Sequence, residues 1–161
     1  MLPVEVFIMT SDKAWKRKKQ VAVIGASSAS ESEILLAKTV GSLLARAGAI
    51  LLSGGMGGIM EASCQGAIQE GGVAIGIVPG CEGNPFLSAI IKTQMNHARN
   101  FILIGSCDAV IAIGGEYGTL TEIAYALKSQ IPVYGLSTWD IPGVIACTGP
   151  EEAVRMAVID T

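Results

Sequence analysis

Three stretches of glycine and small polar residues hold the chemistry most readily read in this sequence. They are Gly25-Ala26-Ser27-Ser28, Ser53-Gly54-Gly55-Met56-Gly57-Gly58 and Gly114-Gly115-Glu116-Tyr117-Gly118-Thr119. Each ends a short apolar run and opens onto a stretch with helical spacing. Glycine lets the backbone approach a ligand closely. The helix start that follows offers free N–H groups and the positive end of a dipole to an anion. Tight strand-to-helix turns use glycine for steric reasons too, so one such turn would say little. Three together point to a ligand that carries phosphate, held by Gly25, Ser27, Gly54, Gly55, Gly57, Gly58, Gly115, Gly118 and Thr119.

The familiar nucleotide motifs are missing. The first turn lacks G-x-G-x-x-G, and the second apolar run ends in Ser-Gly-Gly instead of an acid that could hold a ribose. A classical NAD enzyme is therefore disfavoured. No G-x-x-x-x-G-K-[ST] occurs, which excludes a P-loop NTPase.

The elements that must position these turns alternate regularly from Gln20 onward. Apolar runs at Val21–Gly25, Ala49–Leu52, Val73–Val78, Asp108–Ile113 and Pro132–Leu136 read as strands, with a short one at Ala89–Thr93. Helical patterns lie between them. Ser30-Glu31-Ser32-Glu33 has capping-box form and predicts a helix start, with Leu36, Val40, Leu43, Leu44 and Ala47 on one face and Gly48 as its stop. Met60, Cys64 and Ile68 mark a face of the next helix. Further helices are expected over Asn96–Gly105, around Leu120–Leu127 and over Glu151–Ile159, with Pro142, Gly143, Gly149 and Pro150 bracketing an irregular stretch. Strands that are apolar throughout belong to a parallel sheet covered on both faces. The expected fold is α/β, a Rossmann-like three-layer α/β/α sandwich with a mostly parallel sheet. In such sheets ligands bind outside the carboxyl ends of the strands, which is where the three turns fall.

Composition narrows the class. The chain has 161 residues, a length that fits one domain. Half of them are hydrophobic and 16% charged, which excludes disorder for most of the chain. A formal net charge of −3 disfavours a nucleic-acid surface. The longest apolar stretch, Phe101–Gly115, is interrupted by Asp108, so no membrane span is expected. With no signal peptide in view, the expected location is the cytoplasm. Cys64, Cys81, Cys107 and Cys147 contain no C-x-x-C pair and read as small core residues; no metal site is expected. Residues 1–20 differ from the rest and read as an extension, with a possible strand at Val4–Thr10. Lys13, Lys16, Arg17, Lys18 and Lys19 cluster around Trp15, either as a solvated face or as an anion or partner contact. Residues 21–161 form the single domain.

The second turn resembles the GGG-x-x-GLMG-type turn of the LOG-like (SLOG) superfamily. The stretch from Asp108 to Glu122 resembles that family's strand followed by PGG-x-GT-x-x-E, and His97-Ala98-Arg99-Asn100 is similar to its His-x-Arg-Lys segment. The likeness runs from about Val21 to Ile159. Gly115, Gly118, Thr119, Glu122 and Arg99 match. The family's proline falls on Gly114, the glycine at its third motif position on Glu116, its lysine on Asn100 and its methionine before the histidine on Asn96. These departures resemble the molybdenum-cofactor carrier branch more than the hydrolases.

The resemblance implies two activities. One is hydrolysis of the N-glycosidic bond of a nucleoside 5′-monophosphate. Glu122 would then stabilise oxocarbenium-like charge and activate water, Arg99 would bind phosphate or orient the glutamate, and His97 would hydrogen-bond the ligand. The alternative is carriage or sensing of a nucleotide or of a phosphorylated pterin, the molybdenum cofactor, without turnover. A homodimer with a small phosphorylated ligand is implied, and no cofactor is required. Thr119-Leu120-Thr121-Glu122 also has capping-box form, which would make Glu122 a helix cap. Pyridoxal-phosphate chemistry, for which relatives were once named, needs a Schiff-base lysine. Lys38 and Lys128 lie within helical patterns and nothing marks Lys92.

Overall fold

The computed structural model describes residues 16–159. The expected strand over 4–10, together with Lys13 and Trp15, lies outside the described residues. Within them, seven strands form one all-parallel sheet: β1 (Gln20–Gly25), β2 (Ile50–Ser53), β3 (Val73–Val78), β4 (Ala89–Lys92), β5 (Ala109–Ile113), β6 (Val133–Leu136) and β7 (Val144–Ala146), in the order β4-β3-β2-β1-β5-β6-β7. Five α-helices connect them: α1 (Glu31–Arg46), α2 (Ile59–Gln69), α3 (Arg99–Gly105), α4 (Tyr117–Lys128) and α5 (Pro150–Ile159). The three-layer sandwich expected from the sequence is what forms. β7 is an addition, a three-residue edge strand inside the stretch read as irregular.

Each central strand sends alternate residues to opposite cores. Val21, Val23, Leu51, Ile111 and Ile113 pack with α1, α2 and α5, whereas Ala22, Ile24, Leu52, Val110 and Ala112 pack with α3 and α4. Both faces are therefore apolar, which is why these strands show no polar alternation. β1 and β5 pair directly, Val21 with Ala109 through Gly25 with Ile113. Connections from β1 run to one side and those from β5 to the other, so the sheet's topological switch point lies between these two strands.

The capping box at α1 forms as expected. Ser30 N–H donates to Glu33 Oε2 at 2.8 Å, and Glu33 N–H donates to Ser30 Oγ at 3.3 Å. Ala37, Val40, Gly41 and Leu44 are the buried face of that helix, and Ala47 is exposed. The inward face of α2 differs from expectation. Ile59, Ala62, Ser63, Cys64, Gly66 and Ala67 are buried, Ile68 is exposed and Met60 is only part-buried. The reason is a close crossing of α1 over α2. A Cβ on Gly41 would overlap the carbonyl of Ser63, and one on Gly66 the carbonyl of Lys38. Small residues make that face, so spacing of large apolar side chains does not reveal it.

Cys64 and Cys107 are buried as expected, and burial pushes the Cys107 thiol up to about 12. Cys81 is exposed instead, in the loop after β3, where Gln94 Nε2 donates to its sulfur. Among the described residues no helix is long and apolar enough to cross a membrane. No group of three or more potential metal ligands occurs among them.

Candidate functional site

A cleft of about 380 Å³ opens at the carboxyl ends of β1, β2 and β5, at the switch point. The β1–α1 turn contributes Gly25, Ala26 and Ser27, and the β2–α2 region contributes Met56 and Met60. The segment entering α3 contributes His97, Arg99 and Asn100, and the start of α4 contributes Glu116, Gly118, Thr119 and Glu122.

Arg99 is the first residue of α3, directly after a single 3-10 turn at Asn96–Ala98. Gln94, just before that turn, and Asn96, its first residue, have left-handed backbone, so the chain bends sharply before entering the helix. Arg99 is 8% exposed, and its guanidinium lies against the backbone of Gly54. A Cβ there would sit 2.8 Å from Nη2 and 2.9 Å from Nη1. Gly54 is thus required for close approach of a cation and does not face the cleft itself. Nη1 donates to the side chain of Asn100 and lies 3.9 Å from Glu122 Oε1, beyond hydrogen-bond distance. Nε is buried with no partner.

Glu122 is 7% exposed. Burial raises its carboxyl from 4.5 to about 7, and the charge of Arg99 offsets this only in part. The same burial lowers the Arg99 pKa, against the opposing pull of Glu122. The capping-box reading of Glu122 is corrected by the helix boundary. α4 begins at Tyr117 with Glu116 as its N-cap and no side-chain cap, which places Glu122 in the second turn. The first internal amide bond of α4 is Leu120 N–H to Glu116 C=O at 3.0 Å. The amides of Gly118 and Thr119 therefore have no carbonyl one turn earlier and stand at the cleft.

Seven of the residues expected at the site meet in this cleft: Gly25, Ser27, His97, Arg99, Gly118, Thr119 and Glu122. The other five do not line it. Gly54 backs Arg99. Gly55 and Gly57 line a neighbouring hollow of about 230 Å³ with Glu61, Glu82 and Asn84. Gly58 presses on the carbonyls of Ala26 and Ser27, and Gly115 folds against the Thr119 side chain. These five shape the turns that carry the lining residues. Spacing missed Met56 and Met60 as lining residues. Their signal was position alone, since both sit in or just beyond the second glycine turn. At Gly114 the backbone has φ +51°, which proline cannot adopt, and its Cα abuts the Glu33 carboxylate.

The arrangement is a buried cation with an unused donor, free helix amides and a carboxyl that retains a proton near neutrality. It is suited to receive an anion.

The model of the SLOG cluster4 family matches residues 18–159. The chain belongs to this family. It is 43% identical over 142 residues to an uncharacterised protein of Archaeoglobus fulgidus, covering 86% of this chain and 94% of that one. Among solved structures it is similar to the molybdenum cofactor binding protein of the phototrophic bacterium Rippkaea orientalis, with a TM-score of 0.82 and 34% identity over 87% of this chain and 95% of that one. It is also similar to the molybdenum cofactor carrier protein of Chlamydomonas reinhardtii, with a TM-score of 0.81 and 30% identity over 87% and 95%. The SLOG fold and its switch-point cleft make this a ligand-binding member of the family.

Proposed function

We propose that the cleft binds a small phosphorylated ligand, a nucleotide or a phosphorylated pterin such as the molybdenum cofactor, and that this cytoplasmic protein holds its ligand for transfer or sensing. The observation that carries this reading is the buried Arg99 guanidinium, whose Nε has no partner while its neighbours are glycine-rich turns. A buried donor left unpaired is costly, and an anionic oxygen would satisfy it. The amides of Gly118 and Thr119 would add donors at the positive end of α4. Likeness to proteins described as molybdenum cofactor binding and carrier proteins supports the pterin as cargo. Isothermal calorimetry with inorganic phosphate, AMP and a phosphorylated pterin tests it. Binding of all three, lost in Arg99→Ala, is the expected result; no binding of any would overturn it.

One observation favours a second reading, hydrolysis of the N-glycosidic bond. Glu122 has a pKa of about 7. A carboxyl of that kind can give a proton to a leaving base and, once ionised, take one from water. Release of adenine from AMP, abolished in Glu122→Ala, is the outcome this reading requires. The exposed Phe101, Ile102 and Tyr117 beside the cleft offer an apolar face to the homodimer implied by the family. Light scattering of the purified chain decides that point.

A further inference from the structure

Among the described residues that line the cleft, only Met56 and Met60 are large and apolar. Both belong to the same wall, one in the turn before α2 and one in its first turn. Met56 is 40% exposed, so its side chain is accessible to a ligand in the cleft. Met60 reaches toward Arg99, because a Cβ on Gly54 would meet the Met60 sulfur at 2.8 Å, the same distance as the Arg99 nitrogen. The cation and the thioether therefore converge on one point of the backbone, and the apolar wall starts where the anion would sit. Methionine is unbranched and polarisable, and its sulfur makes favourable contacts with aromatic rings. Apart from Ala26 the remaining lining is polar or glycine, with the His97 ring and the Arg99 guanidinium as its other planar groups, so the methionines supply the extended apolar surface.

We propose that Met56 and Met60 form a platform for a planar heteroaromatic ring, so that the cleft selects phosphate esters that carry such a ring over those that do not. The inference rests on the proposed phosphate site and assigns its specificity. A competing wall exists outside the cleft, where Phe101 and Tyr117 border a hollow of about 410 Å³ that shares His97 and Asn100 with it. Tyr117 already packs at 6.0 Å from Trp139, and Phe101 stands edge-on to Tyr125 at 4.7 Å. Those rings have partners, whereas the two methionines face the open cleft.

The test compares calorimetric affinities for inorganic phosphate, ribose 5-phosphate, AMP and neopterin monophosphate. In the wild-type protein at least one of the two ring-bearing esters binds about tenfold tighter than ribose 5-phosphate. In Met56→Ser that preference falls severalfold while phosphate affinity is unchanged, and in Met56→Leu most of it returns. Met56 lies on the surface, so these variants fold. Absence of a preference in the wild type, its survival in Met56→Ser, or its loss in Tyr117→Ser instead overturns the platform while leaving the phosphate site standing. Failure of the wild type to bind phosphate at all overturns the site and the platform together.

Discussion

The strand β5 carries an arginine–carboxylate pair at each end, and the two pairs are built in opposite ways. Before the strand, Arg17 forks Asp108 with contacts of 2.6 and 3.0 Å, and the Gln20 amide donates to the same carboxylate at 2.8 Å. This pair is open to water and satisfied. Arg17 holds the Asp108 carboxyl below its usual range. It closes a basic hollow of about 270 Å³ whose walls include Lys16, Lys18 and Ile159. Beyond the strand, Arg99 and Glu122 are buried, 3.9 Å apart and only partly engaged. The first pair has committed its donors to the fold. The second has donors left over, and burial leaves its carboxyl with a proton near neutrality. Exposed pairs contribute little to stability. Buried, loosely matched ones cost stability and are kept where a ligand completes them.

Replacing the two arginines separates the ends most strongly. Arg99→Ala should lower the affinity for sulfate or phosphate at least about thirtyfold by calorimetry, the loss expected for hydrogen bonds to a charged group. It should also move the Glu122 carboxyl above 7, read by NMR titration. Comparable binding in wild type and variant would remove Arg99 from the site.

The second contrast is in stability against pH. The folded pKa of Glu122 lies above its ordinary 4.5, so the folded state holds more protons than the unfolded state between about 4.5 and 7. Its stability contribution is complete below 4.5 and is lost as pH rises through 7, about 3 kcal/mol in all. Asp108 has the opposite sign, since its lowered pKa contributes stability that disappears as pH falls. Urea unfolding of Glu122→Gln should show a flatter curve above pH 4.5 than wild type. An unchanged slope would contradict the burial of a titrating Glu122.

A smaller effect concerns the anion. As Glu122 ionises it places a negative charge beside Arg99, so sulfate, which does not titrate in this range, should bind severalfold more weakly at pH 8 than at about pH 6. In Glu122→Gln that dependence should vanish. The smallest effect belongs to the other end. Arg17→Ala should leave both ligand affinity and the unfolding midpoint within measurement error.

Much of the scaffold could be read from residue order. β3 matches its expected bounds, and the Ser30 capping box starts α1 where its residues indicate. These are local signals, apolar runs and a short polar motif. What escaped was decided by distant contacts. The short β7 exists because β6 offers it an edge, with Val133 opposite Val144. The small-residue face of α2 exists because α1 crosses it closely. The meeting of Arg99 with Glu122 could not be read from spacing, since it requires α3 and α4 to pack on the same side of the sheet. It entered only through family likeness. Met60 was hidden because methionine in a helical pattern reads as core, and Met56 because the glycines around it in the turn carried the reading.

The crossing of α1 and α2 at Gly41 and Gly66 has a reach beyond its own contact. Each helix begins at one of the two turns whose residues flank the mouth of the cleft, so the crossing acts as the rivet of a pair of scissors. A methyl group forced into that joint would pry the blades apart, and the displacement would appear at their tips, between Ser27 and Met56. The gauge of the opening is thus set in the middle of two helices, by side chains that are not there.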